Sequence, residues 1–276
     1  TFRTPHLRES RLARRSGLTA LLAALIFVVH PVQTMAVTFV VQRLTSLATL
    51  FSLLAMVLYI LARLKREHGS FPALPSAPSS RMVSGGLLAG SVISAILAMK
   101  TKEITFTLPL AITLYELFFF RGSWKKRIFL LLPLLMTLPI VPLSILASPD
   151  TMVAQVRVQT EMTRLHYLFT EFRVIVTYLR LLIFPVNQNL DYDYPLYRTF
   201  FTPPVFLSFL LLAALFALAV YLFVRSGRPQ PSAHGPQSSS PPFDPSLRLI
   251  SFGILWFFLA LSVESSHIPI VDVIFE

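Results

Sequence analysis

MTRLHYLFTEFRVIVTYLRLLIF, residues 162–184, is the stretch whose reading decides the topology of this chain. It is long enough to cross a bilayer, yet it carries Arg164, Glu171, Arg173 and Arg180. Thr170, Arg173, Thr177 and Arg180 recur at offsets of 0, 3, 7 and 10, which places them on one face of a helix. Phe172, Val176, Leu179 and Ile183 lie on another. A helix divided in this way is expected to lie in the membrane interface rather than to span.

The flanking sequence supplies the membrane. Hydrophobic residues make up 54% of the 276 positions and charged ones 13%, against about a quarter charged in a soluble domain. Mean hydropathy is +0.68. The charges fall in short runs, and the apolar stretches between them approach the roughly 20 residues that a helix needs to cross the hydrocarbon core. Seven spans are expected: 17–30, 38–62, 84–100, 104–120, 128–147, 204–224 and 247–263. The fold class is therefore all-α: a single polytopic membrane domain over 1–276 with about seven transmembrane helices and one interfacial amphipathic helix. Residues 63–83 and 225–247 read as cytoplasmic linkers, the second rich in Pro and Ser. Residues 148–203 read as extracytoplasmic.

Seven spans with residues 1–16 inside agree with the distribution of charge. All but eight of the 24 Lys and Arg residues then fall inside, as the positive-inside rule requires. The eight outside are Arg43, Lys100, Lys102, Arg157, Arg164, Arg173, Arg180 and Arg198. An eighth span at 162–184 would put the basic linker at Arg225 and Arg228 on the wrong side. The formal net charge of +11 is thus topogenic, and no nucleic-acid partner is expected. The absence of cysteine excludes disulfides, thiolate metal sites and cysteine nucleophiles. The first residue is Thr and the chain stops just after an apolar run at Glu276, so both ends read as cuts in a longer protein.

This topology gathers four polar clusters on the outer side: His30-Pro31-Val32-Gln33-Thr34 with Gln42-Arg43; Lys100-Thr101-Lys102-Glu103; Arg173 and Arg180 with Asn187 to Tyr194, including Asp191 and Asp193; and Glu264, His267, Asp272 and Glu276. Each has a plain structural alternative. His30 can cap a helix, Arg43 can snorkel, and Asp191 and Asp193 can be solvated loop carboxylates. Together they offer cations for a phosphate and carboxylates to activate a hydroxyl acceptor. No glycine-rich phosphate loop, metal-ligand spacing or serine nucleophile elbow is present.

The runs HPVQT…AVTFVVQRLTSLATLF, AMKTKEITFTLP…YELFFF, FPVNQNLDYDYP and LSVESSHIPIVDVIFE resemble the membrane domain of the transmembrane-and-tetratricopeptide-repeat proteins. Those are similar to protein O-mannosyltransferases, in the GT-C class of lipid-sugar-dependent glycosyltransferases. The resemblance covers roughly residues 10–276. It implies a polyprenyl- or dolichyl-phosphate-linked sugar as donor, a protein or peptide hydroxyl as acceptor, and a multi-pass protein of the bacterial inner membrane or the endoplasmic reticulum. It places His30, Arg43, Lys102 and Glu103 around the donor, where Gln42, Lys100, Arg173 and Arg180 are further binding candidates. Glu103, Asp191 and Asp193 are the carboxylates that could act catalytically. In the GT-C class the main catalytic carboxylate lies in the first outer loop, which would precede residue 1. Met35 stands where the family often has Glu, and the tetratricopeptide repeats would follow Glu276. The alternative expectation is a polytopic transporter or lipid-binding scaffold without transferase activity.

Overall fold

In a computed structural model, residues 4, 7, 11–31, 42–67, 80–147, 164–187, 195–227 and 244–262 are described. Among them the chain is all-helical. After a short turn at Arg11–Arg14 come α1 (Ser16–Val29), α2 (Gln42–Glu67), α3 (Ser80–Thr101), a 3-10 helix (Glu103–Thr107), α4 (Leu108–Phe119), α5 (Trp124–Leu135), α6 (Ile140–Leu146), α7 (Arg164–Ile183), α8 (Pro203–Ser226) and α9 (Pro245–Leu261). Four helical runs are long and apolar enough to cross a membrane: Gln42–Glu67, Met82–Thr101, Trp124–Ser144 and Pro203–Ser226. At a rise of about 1.5 Å per residue they reach roughly 30–39 Å, which matches a hydrocarbon core of about 30 Å. The 14 residues of α1 and the 17 of α9 are apolar but shorter, and the region expected as a fourth span divides into the 3-10 helix and the 12-residue α4.

Proline marks the helix starts. Pro109, Pro203 and Pro245 sit in the first turns of α4, α8 and α9, where the missing N–H has no intrahelical partner to lose. Asp244 caps α9 by accepting from the Ser246 amide at 2.9 Å. Inside α5 proline does the opposite. Pro133 is followed by a turn over residues 136–139 before α6 resumes the same course.

The chain falls into two compact units, residues 1–22 with 34–144 and residues 23–33 with 145–276. In the first, α2 and α3 run antiparallel along a seam of small residues. Ala48, Ala55 and Ala62 on α2 and Ser84, Ser91 and Ala98 on α3 are all buried, and each set repeats every seven residues. The Ser84 hydroxyl donates to the Ala62 carbonyl at 3.0 Å and that of Ser91 to the Ala55 carbonyl at 2.7 Å. Gly90 belongs to this close approach, since a Cβ there would stand 3.2 Å from Leu58 Cδ1. Helices that meet in lipid gain nothing from the hydrophobic effect, so backbone proximity and interhelical hydrogen bonds hold them. Below the seam, Tyr59, Ala95, Leu108, Ile112, Leu131 and Leu134 complete the core.

The second unit repeats the device. Val205, Leu212, Ala219 and Ser226 on α8 are buried at seven-residue intervals, and Ser251 of α9 donates to the Ala219 carbonyl at 2.7 Å. Helix α7 packs on the start of α8 through Phe169, Phe172, Phe200 and Phe209. It is long enough to span, but every 18-residue window of it holds at least three of Arg164, Glu171, Arg173 and Arg180, unlike the four apolar runs. Its buried stripe is Tyr167, Thr170, Glu171, Val174, Thr177 and Leu181. The threonines therefore face inward, Arg173 is half-buried, and Arg180 is exposed. Thr170 donates to the His166 carbonyl and accepts from the Tyr197 amide, and Thr177 donates to the Arg173 carbonyl. With its hydroxyl satisfied locally, threonine packs as a small apolar residue.

The seam makes a direct prediction for thermal unfolding in detergent. Ser91→Leu is expected to cost about 1–3 kcal/mol through overpacking. Ser91→Ala is expected to cost only about 0.6 kcal/mol, the average for an interhelical hydrogen bond in a membrane protein. A Ser91→Leu protein that melts with the wild type would contradict the close approach.

Candidate functional site

Because α2 and α3 are antiparallel, the first unit has two polar ends of different character. At one end α3 finishes at Thr101 and the backbone becomes extended at Lys102 (φ −153°, ψ 136°) before the 3-10 helix starts at Glu103. This break turns Lys102 back over the first turn of α2. Its ammonium donates to Thr45 Oγ1 at 2.9 Å, and the Thr45 hydroxyl donates to Gln42 Oε1 at 2.8 Å. Gln42 and Thr45 lie three residues apart on one helical face, so Thr45 links Lys102 to Gln42. Lys100 donates instead to Ser144 Oγ at 3.1 Å, at the end of the α5–α6 run. Arg43 and Glu103 are exposed at the same end.

Four of the expected donor-binding residues, Gln42, Arg43, Lys100 and Lys102, thus share one end with Glu103. Among the described residues this end holds three cations and one carboxylate, and the first turn of α2 has no acidic residue. That turn is also the positive end of the helix dipole.

The opposite end is built around a closed, buried ion network. Glu116 of α4 is 0% exposed. Its Oε2 accepts from the Tyr59 hydroxyl at 3.2 Å and its Oε1 from Arg63 Nε at 3.1 Å, with Arg127 Nε at 3.8 Å. Arg63, 7% exposed, also pairs with Glu67 at 3.1 Å, donates to the Arg121 carbonyl at 2.8 Å and stacks over Phe120. Arg127 donates to the Phe120 carbonyl. Two arginines therefore clamp the 120–123 turn, where Gly122 adopts φ +149° beneath Arg63. Arg66 donates to Ser84 Oγ at 2.6 Å, which ties the seam to the same end.

In the second unit His30 and Arg180 both serve the C-terminus of α7. His30 Nε2 donates to the Leu182 carbonyl at 3.1 Å and Arg180 Nη1 to the Val186 carbonyl at 3.2 Å. These contacts reach carbonyls in and just beyond the last turn, where intrahelical partners run out. The geometry at His30 is that of a cap. Asp191, Asp193, Glu264, His267, Asp272 and Glu276 lie outside the described residues. Among the described residues no group of three or more His, Asp or Glu is placed to hold a metal ion.

Thr45, Tyr59 and Glu116 are the residues that sequence reasoning passed over. Glu116 was detectable, because a carboxylate within the apolar run YELFFF must find buried cations. Arg63 and Arg127, read as topogenic charges, are integral to the fold. Comparison with family models, with curated proteins and with solved structures finds no match.

Removing one partner of a buried ion network leaves the others uncompensated, at about 3–5 kcal/mol. Glu116→Ala is therefore expected to lower the melting temperature in detergent sharply, and Glu116→Gln, which keeps the shape and an acceptor, to lower it less. Wild-type melting for Glu116→Ala would show that the network does not hold α2, α4 and α5 together.

Proposed function

We propose that this chain is the membrane core of a GT-C-like glycosyltransferase that takes a sugar from a polyprenyl- or dolichyl-phosphate carrier and delivers it to a protein hydroxyl on the extracytoplasmic face. The observation that carries the reading is the Lys102 end of the first unit, where Lys102 donates to Thr45 and Thr45 to Gln42, at the end that also holds Lys100, Arg43 and Glu103. A phosphate monoester or diester at a membrane surface calls for such a set: hydrogen-bond donors with excess positive charge, at the end of apolar helices that can lie along a lipid tail. In this proposal the chain has seven spans with α7 in the interface, and the Lys102 end faces outward. It resides in the bacterial inner membrane or the endoplasmic reticulum. The resemblance of the HPVQT…QR and KEITFTLP runs to the transmembrane-and-tetratricopeptide-repeat proteins supplies the sugar and the acceptor class. Glu103 is the described carboxylate at this end available to act on an acceptor hydroxyl.

One observation favours a second reading. Glu116, Arg63 and Tyr59 place ionisable groups inside the helical bundle, and such groups also mark ion or substrate paths in transporters.

The deciding assay uses the protein in proteoliposomes with a labelled polyprenyl-phosphate sugar and a Ser/Thr-rich peptide. Label is expected on the peptide, and Lys102→Ala is expected to reduce transfer roughly 10- to 100-fold, the effect of a lost charge-assisted hydrogen bond. Unchanged transfer in Lys102→Ala would remove the site assignment. Uptake of substrate without any labelled peptide would select the transporter.

A further inference from the structure

The direction of the hydrogen-bond chain at the cationic end is forced. A charged lysine only donates, with three N–H groups and no lone pair. Thr45 has one hydroxyl proton, and that proton goes to Gln42 Oε1. Thr45 must therefore meet Lys102 as an acceptor. The chain runs ammonium to hydroxyl to amide oxygen, and it occupies the amide oxygen of Gln42. The donors of this chain are then the amide N–H groups of Gln42 and the ammonium of Lys102. Without the threonine hydroxyl, Gln42 could present its oxygen as readily as its nitrogen, and the lysine would lose the contact that holds it over α2.

The geometry points to Thr45 as the positioning residue of this site: its hydroxyl fixes the Lys102 ammonium and polarises Gln42 so that the end of α2 and α3 receives a phosphate-bearing anion. The inference rests on the donor-binding reading of this end and adds the residue that sets its polarity. Thr45 reaches the ligand only through Lys102 and Gln42. Its hydroxyl bonds to Lys102 and Gln42, it is half-buried in the first turn of α2, and the buried seam begins one turn later at Ala48. Replacing its hydroxyl should therefore change binding far more than stability.

The test uses the full chain in nanodiscs, with undecaprenyl monophosphate, undecaprenol and inorganic phosphate as separate probes. The wild type should bind the monophosphate and not the alcohol. Competition by inorganic phosphate shows the headgroup alone to suffice, and its failure shows that the lipid tail is required too; both keep the anion at Lys102. Lys102→Ala should lose binding. Thr45→Val, which keeps the shape, should weaken it about tenfold, and Thr45→Ser should restore it to within about twofold, with all three variants melting close to the wild type. If the wild type binds no phosphate probe, the donor-binding reading falls and this inference with it. If the wild type binds and Lys102→Ala does not, but Thr45→Val binds as tightly as the wild type, the positioning role alone is overturned. Equal losses in Thr45→Val and Thr45→Ser would assign the effect to packing and overturn it as well.

Discussion

The antiparallel register of α2 against α3 is the constraint on which the first unit depends. Small residues every seven positions let the two backbones come close enough for serine hydroxyls to reach carbonyls across the interface. A one-residue slip would move Ser84 and Ser91 off their partners and drive larger side chains into the seam. The same register decides what meets at each end. It brings Lys102 over Thr45 and Gln42, and it brings Arg66 to Ser84 beside the Arg63–Glu116 network. Both polar ends are consequences of one packing solution, which is why the serine hydroxyls of the seam matter to charges at the helix tips.

The two ends then diverge for electrostatic reasons. Around Glu116 every charge has an opposite within hydrogen-bond or ion-pair distance, and an aromatic ring covers Arg63. That arrangement suits a dry interior, where an unpaired charge is costly. Around Lys102 the described side chains are hydroxyls, an amide and further cations, and Arg43 and Glu103 are open to their surroundings. A closed network gives rigidity, and hydrogen-bond donors beside exposed cations suit an anion. The unit thus separates the part that holds it together from the part proposed to bind.

Much of this organisation was legible in the residues, and the failures have definite causes. The helical path Pro203–Ser226 lies within two residues of the expected 204–224, because leucine- and alanine-rich sequence between a proline pair and a basic end allows little else. Arg164–Ile183 was expected as an amphipathic helix over 162–184 and is one helix. Thr170 and Thr177 of its polar face are buried, which polarity alone does not show, because they satisfy their hydroxyls on the backbone and pack inward. The helices that carry the third and fifth expected spans begin at Ser80 and Trp124, four residues ahead of 84 and 128, because polar first turns extend a helix beyond its apolar stretch. Charge counting could sort Arg63 and Arg127 by side, but it could not show them turned onto Glu116. That requires knowing which helices are neighbours, and the same holds for Thr45 beneath Lys102.

The central claim is that the ends marked by Lys102 and by Arg63–Glu116 lie on opposite sides of a membrane, with the Lys102 end outside. The native sequence has no cysteine, so single thiols can be introduced at Glu103 and at Lys125, both exposed and at opposite ends of the unit. In right-side-out vesicles a membrane-impermeant maleimide should label Glu103→Cys directly and Lys125→Cys only after permeabilisation. Labelling of both thiols from the same side, or of Lys125→Cys alone in sealed vesicles, would contradict the account.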